Sequence, residues 1–208
     1  MAFNPKKHNR RSIRLKGYDY TEPGAYFITI CTSKREYLFG HIQDEKMHLN
    51  RYGEVVQFNW NNLPKSYPHV QLDEFIIMPD HIHGIIMLKD PVGAGLPTIE
   101  SLTKNPYKPA PTPQKRHGLP EIIRSLKTRS ATRINQLRST KGNPVWQRGY
   151  YEHIVRNQQA LSNIRRYIIN NPSKWQKDKL NSSNGANLLK NIHLQIDPQI
   201  NISMNLHS

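Results

Sequence analysis

Two short apolar runs face each other across a Pro-Asp step, Phe75-Ile76-Ile77-Met78 before it and Ile82 to Leu88 after it. Both are rich in β-branched residues and too short for helices, so each predicts a buried strand. A two-residue joint cannot make a parallel crossover, so the strands Val70 to Met78 and Ile82 to Leu88 must pair antiparallel. Directly after the joint stand His81 and His83. Alternation along a strand sends both imidazoles to one face and Ile82 to the other. Two imidazoles side by side can ligate one divalent cation. Alone the pair is a weak signal, because two histidines on a solvent-facing strand have the same spacing.

The other segments complete a fold around that hairpin. Ala25 to Thr32 (AYFITICT) is aromatic and β-branched, hence a strand. Asp44 to Leu49 reads as a short edge strand after a hairpin. Val55, Val56, Phe58 and Trp60 make Glu54 to Leu63 an amphipathic helix, which Pro64 and Pro68 end. Leu119 to Leu137 is the strongest helical pattern, with Ile122, Ile123, Leu126, Ala131, Ile134 and Leu137 in one stripe. Val145 to Val155 reads as a last strand with an irregular middle at Gly149, and Gln158 to Asn171 as a helix that Pro172 stops. The order βαββαβ predicts an α+β fold of ferredoxin-like type, an antiparallel sheet with helices on one face and an added C-terminal helix. In that topology the first and third strands are central neighbours, which puts the histidines in mid-sheet.

Three segments read as additions to a domain spanning 19–180, two at its ends and one inside it. Residues 1–18 form a basic arm with Arg10, Arg11 and Arg14, 90–118 a proline-rich mobile loop, and 181–208 a polar tail. Hydrophobic residues are 36% of the chain, low for its length, which fits such loosely packed ends.

Thirty Lys and Arg stand against 15 Asp and Glu, a formal net charge of +15. That balance favours a polyanionic partner, nucleic acid before an anionic membrane surface. The polar face of the second long helix concentrates the charge in Arg124, Lys127, Arg129, Arg133 and Arg138. Cys31 is the one cysteine, which excludes a disulfide framework and a cysteine-rich zinc site. No apolar segment reaches transmembrane length and the N-terminus has no apolar signal core, which predicts a cytoplasmic protein. No phosphate-cradling glycine motif is present, so no nucleotide cofactor is expected.

A cation on two histidines needs a third ligand. Tyr167 and Asn171 are four residues apart, one turn along a helix face. An amide oxygen can help hold a hard cation, and a tyrosine oxygen can attack phosphorus on a phosphate bound to it. Packing of Tyr167 on the sheet and capping by Asn171 before Pro172 explain the same residues, and Asn170 is an alternative ligand.

Three segments taken together resemble a known family: Met78-Pro79-Asp80-His81-Ile82-His83, then Trp146-Gln147-Arg148-Gly149-Tyr150-Tyr151-Glu152-His153, then Arg166-Tyr167-Ile168-Ile169-Asn170-Asn171-Pro172. They are similar to the HUH single-tyrosine transposases, the REP-associated tyrosine transposases in particular, over residues from about 10 to 175. The resemblance implies a ferredoxin-like fold and a Mg2+ or Mn2+ ion on His81, His83 and Asn171. It makes Tyr167 the nucleophile, with Tyr150 and Tyr151 disfavoured rivals. It implies a single-strand DNA endonuclease and strand transferase that forms a 5′-phosphotyrosine link at hairpin-flanked, REP-like DNA, working as monomer or homodimer. Arg10, Arg11, Arg14, Arg124, Lys127, Arg133 and Arg148 are the expected DNA contacts. Two other readings compete: a non-catalytic single-stranded nucleic-acid-binding ferredoxin-like module, and a hydrolase with Asp80 as base and water as nucleophile.

Overall fold

The computed structural model describes residues 17–90 and 117–175. The expectations for the basic arm up to residue 16, for 91–116 of the proline-rich loop and for the polar tail lie outside these residues, and with them Arg10, Arg11 and Arg14.

Four strands form the main sheet: β1 (Gly24–Cys31), β4 (Val70–Met78), β5 (His81–Leu88) and β6 (Tyr151–Val155), in the order β4-β5-β1-β6 and antiparallel throughout. This is the ferredoxin-like order, with the first and third core strands in the centre as expected. β1 and β5 pair over their whole length, from Gly24 opposite Leu88 to Cys31 opposite His81. Between them lie β2 (Gly40–Gln43) and β3 (Lys46–Leu49), which form a separate two-stranded hairpin. The edge strand expected at Asp44 to Leu49 is therefore corrected. Asp44 and Glu45 both have positive φ, 50° and 57°, and make the tight turn whose twist suits a two-residue hairpin.

Helix α1 (Arg51–Asn61) starts three residues earlier than its apolar pattern, because the Asn50 side chain caps it by accepting from the Tyr52 and Gly53 amides. Pro64 does not end helical structure: it opens a short helix α2 (Leu63–Ser66), where a missing amide costs nothing. Helix α3 (Leu119–Leu137) has the expected bounds. The long strand expected from Val145 is corrected to β6 alone, preceded by a single bridge between Thr32 and Trp146. Helix α4 (Gln158–Ile169) ends at Asn170, and helical geometry resumes over 171–175, so Pro172 opens a turn rather than closing one.

Two cores sandwich the sheet. α1 and α3 cover one face, where Tyr26, Ile28, Ile30, Ile82 and Ile86 meet Trp60, Ile122, Ile123 and Leu126. On the other face α4 packs Leu161, Ile164, Tyr167 and Ile168 against Phe27 and Ile85. The two core helices lie on one face as expected, and the added helix α4 covers the other, which bears His81 and His83. Next to His83, Gly84 points to the α1 face, where an added Cβ would come within 2.5 Å of the Trp60 ring. The missing side chain lets the indole lie on the strand, stacked on Phe75 at 4.2 Å.

A candidate metal and tyrosine centre

His81 and His83 share the α4 face of β5, and both are fully buried. Each is held by its Nδ1 atom. His81 Nδ1 donates to Asp80 Oδ1 at 2.6 Å. His83 Nδ1 is bonded to Thr29 Oγ1 at 2.8 Å, which the β1–β5 register places directly opposite. Anchoring both Nδ1 atoms turns both Nε2 atoms inward, and these stand 3.0 Å apart. Tyr167, 8% exposed, brings its hydroxyl to 3.2 Å from His83 Nε2. The strand pair thus supplies two ring nitrogens and α4 supplies one phenol oxygen at a common point.

Burial pushes His81 below its ordinary range, against the pull of Asp80. It pushes His83 further down, with the charges of His81 and Arg35 adding to it. Neutral rings are the form that binds metal. His81 faces a carboxylate through Nδ1, so its proton is there and its Nε2 presents a lone pair. Two ring nitrogens 3.0 Å apart are joined either by one proton or by one cation. Thr29 suits both states, because a hydroxyl can donate to Nδ1 or accept from it. The separation also matches two adjacent ligands on one ion, for which metal–nitrogen bonds of about 2.1 Å put the nitrogens about 3 Å apart. The pair therefore fits a divalent cation. Among the described residues no group of three or more His, Cys, Asp or Glu side chains converges.

Of the two asparagines, Asn171 is buried at the start of the 171–175 turn, whereas Asn170 is exposed at the end of α4. That turn lies over the site, with the Trp175 ring 5.6 Å from the His81 ring and 5.8 Å from Tyr37. Of the rival tyrosines, Tyr150 packs on the opposite core. Tyr151 lies on the histidine face against Phe27, and burial pushes its hydroxyl far above the ordinary range, which holds it protonated.

Asp80 is nearly buried with both oxygens engaged, Oδ1 by His81 and Oδ2 by Arg35 Nε at 2.9 Å. A general base needs a free lone pair toward water, so this arrangement disfavours the hydrolase reading. The sheet face that an RNA-binding ferredoxin-like module would leave open is covered here by α4.

The basic residues divide. Arg124 and Arg133 lie on α3, across the sheet from the histidines, and Arg124 is exposed beside Glu121. Lys127 Nζ donates to the carbonyls of Gln147, Arg148 and Gly149, at 2.6, 3.1 and 3.1 Å. Burial pushes its ammonium down to about 8, so at neutral pH it keeps one proton for each carbonyl. Those three bonds tie the carbonyls of 147–149 to α3, while the Gln147 amide still donates to the Cys31 carbonyl of β1 at 2.9 Å. Lys127 thus holds the loop that carries the exposed Arg148. Trp146 anchors the same loop, donating from Nε1 to Ser130 Oγ at 3.0 Å.

Thr29 and Arg35 were not legible as site residues. A threonine inside the apolar run ITICT is the one hint at Thr29, and it becomes meaningful only when paired with His83 across 54 positions.

The comparisons bear on family and fold. The sequence model of the family described as "Transposase IS200 like" matches residues 112–171. A Haemophilus influenzae protein described as uncharacterized is 41% identical over 182 residues, covering 86% of this chain and 96% of that one. Among solved structures, a REP-associated tyrosine transposase bound to a REP hairpin matches with a TM-score of 0.51 and 17% identity, over 79% of this chain and 74% of that chain. The chain is a full-length relative of the Haemophilus influenzae protein, carries an IS200-like transposase segment over residues 112–171, and has the α+β fold of a REP-associated tyrosine transposase.

Proposed function

We propose that the protein cleaves and rejoins single-stranded DNA beside an imperfect, REP-like hairpin through a covalent link to Tyr167. The observation that carries this reading is the meeting of the Tyr167 hydroxyl with the two facing Nε2 atoms. The Tyr167 oxygen attacks the scissile phosphorus in line, the bond from phosphorus to the 3′ oxygen breaks, and the strand end stays on the enzyme as a 5′-phosphotyrosine. The phenol gives up one proton and the leaving 3′ hydroxyl takes one up, so the step is balanced in atoms and charge. A 3′ hydroxyl reverses it, and the phosphodiester energy is kept in the link, so no nucleotide is consumed. His81, His83 and Asn171 would hold Mg2+ or Mn2+, which when bound supplies Lewis-acid polarisation of the scissile phosphate. Phe27 and Ile85 exclude water from beneath the tyrosine. Arg124, Arg133 and Arg148, with Arg10, Arg11 and Arg14 of the N-terminal arm, neutralise DNA phosphates. The hairpin-bound partner of the structural neighbour supports a hairpin substrate.

The test is incubation with labelled hairpin single strands from the flanks of its own gene, with Mn2+ or EDTA. A metal-dependent covalent adduct is expected, and Tyr167→Phe abolishes it while leaving DNA binding intact. Cleavage without an adduct overturns the tyrosine mechanism. Tight binding without cleavage in any metal supports the non-catalytic binding module instead.

A further inference from the structure

We propose that Arg35 is a positioning residue for His81, acting through Asp80. The inference rests on the reading of His81 and His83 as cation ligands. Arg35 follows the end of β1 in a single helical turn (Ser33–Arg35), and it lies 45 positions before Asp80 in the sequence. Its Nε reaches Asp80 Oδ2 at 2.9 Å while its Nη1 donates to Cys31 Sγ at 2.8 Å. The guanidinium is therefore fixed at two points, on a thiol of β1 and on the carboxylate that precedes β5. Asp80 in turn is fixed at both oxygens, and its Oδ1 is what orients the His81 ring. A planar fork held at two atoms sets direction as well as distance, which a single-point ammonium does not.

The backbone supports this assignment. Lys34 and Arg35 both adopt left-handed conformations, with φ of 53° and 59°, although neither is glycine. Such a conformation is unfavourable for a side chain with a Cβ and persists where surrounding contacts impose it. Here the Thr32 hydroxyl donates to the Glu36 carbonyl at 2.9 Å and to the Asp80 carbonyl at 3.0 Å, tying the turn to the Pro79-Asp80 step. The Thr32 amide also donates to the Asp80 carbonyl, at 2.9 Å. The left-handed turn is what brings the Arg35 side chain back onto Asp80 instead of letting it run on into solvent. Without the guanidinium, a nearly buried carboxylate keeps only a neutral imidazole as partner, and the ring loses its fixed tautomer and aim.

The test uses full-length protein and Mn2+ alone, titrated by electron paramagnetic resonance. Wild-type binding is expected to be lost in His81→Ala. Arg35→Ala is expected to weaken Mn2+ binding about tenfold, as loss of an outer-shell partner does. Arg35→Lys keeps the charge without the fork and falls between the two. A second readout is the imidazole nitrogen resonance of His81 in metal-free protein: Nδ1–H in the wild type, a mixture of tautomers in Arg35→Ala. A merely structural Arg35 would lower thermal stability and leave both readouts alone. Unchanged Mn2+ affinity and unchanged tautomer in folded Arg35→Ala, or in Arg35→Lys if the alanine variant does not fold, overturn the proposal. If the wild type binds no Mn2+, the cation reading falls as well; if the wild type binds and Arg35 variants bind equally, only the role of Arg35 falls.

Discussion

Thr29 decides how His83 stands. Among the described residues its hydroxyl is the one bond partner of His83 Nδ1, in a place that is 1% exposed. Thr29→Val keeps the shape and removes that partner. We expect a stability loss of about 1–2 kcal/mol in urea unfolding, the cost of an orphaned buried polar group. We also expect Mn2+ affinity to fall about tenfold in the same titration. At this scale the sequence was readable where the relation was local. The spacing of His81 and His83 alone put both rings on one face. Tyr167 was readable as a member of a motif, though periodicity could not separate a nucleophile from a packed ring. Thr29 and Arg35 reach the histidines through strand register and a left-handed turn, and neither leaves a trace in spacing.

Among the elements, α4 matters most, because it carries Tyr167 to strands that carry the histidines. Its tie to the sheet is the pair from Arg165 to Asp73, with Nε and Nη2 donating at 2.8 and 2.6 Å. Asp73 can make it because a bulge between Leu72 and Phe75 shifts the register of β4. The bulge also keeps Leu72 and Phe75 both on the α1 side. The Arg165 hydrogen bond holds the Asp73 carboxyl below the usual carboxylate range. A carboxylate lowered in the fold adds stability that is complete above its unfolded value near 3.9 and is lost as pH falls through the folded value. Asp73→Asn should therefore cost about 1 kcal/mol at neutral pH, after allowance for the partly exposed Arg165, and the gap to wild type should close as the pH falls through the lowered value of the folded carboxyl. A gap that persists in acid would mean that the pair contributes through packing alone. The reading from sequence put the two core helices on one face and left the face of α4 unassigned. The signal was in the sequence: β1 and β5 are near-continuous apolar runs, which is what strands buried on both faces look like.

Taken whole, the described residues carry exposed positive charge on α3 and on the loop that α3 holds. Arg148 stands on the loop that Lys127 holds, and Arg133 stands on α3, away from the histidines. If each neutralises one phosphate, Arg148→Ala and Arg133→Ala should each lower the slope of log affinity against log salt by about 1 for hairpin DNA. Fluorescence anisotropy over a salt series measures this, and an unchanged slope removes the residue from the DNA surface. The net charge made a polyanionic partner legible from composition, but not which basic residues face outward. Lys127 shows why: an ammonium with three carbonyls around it belongs to the architecture. No helix among the described residues is long and apolar enough to cross a membrane.

The eight-residue pairing of β1 with β5 has a consequence for the order in which parts of the protein come loose. Those strands are central, hydrogen-bonded on both sides and covered on both faces, whereas α4 is held by one layer of side chains and one ion pair. Amide hydrogens of β5 should then exchange with solvent at the rate of global opening, and those of α4 sooner. The ring nitrogens belong to the last part of the protein to open and the phenol to an earlier one. On the proposed function, lifting α4 would carry off Tyr167 and Asn171 and leave His81 and His83 in place, so the ability to react could be withdrawn and restored without dismantling the histidine pair.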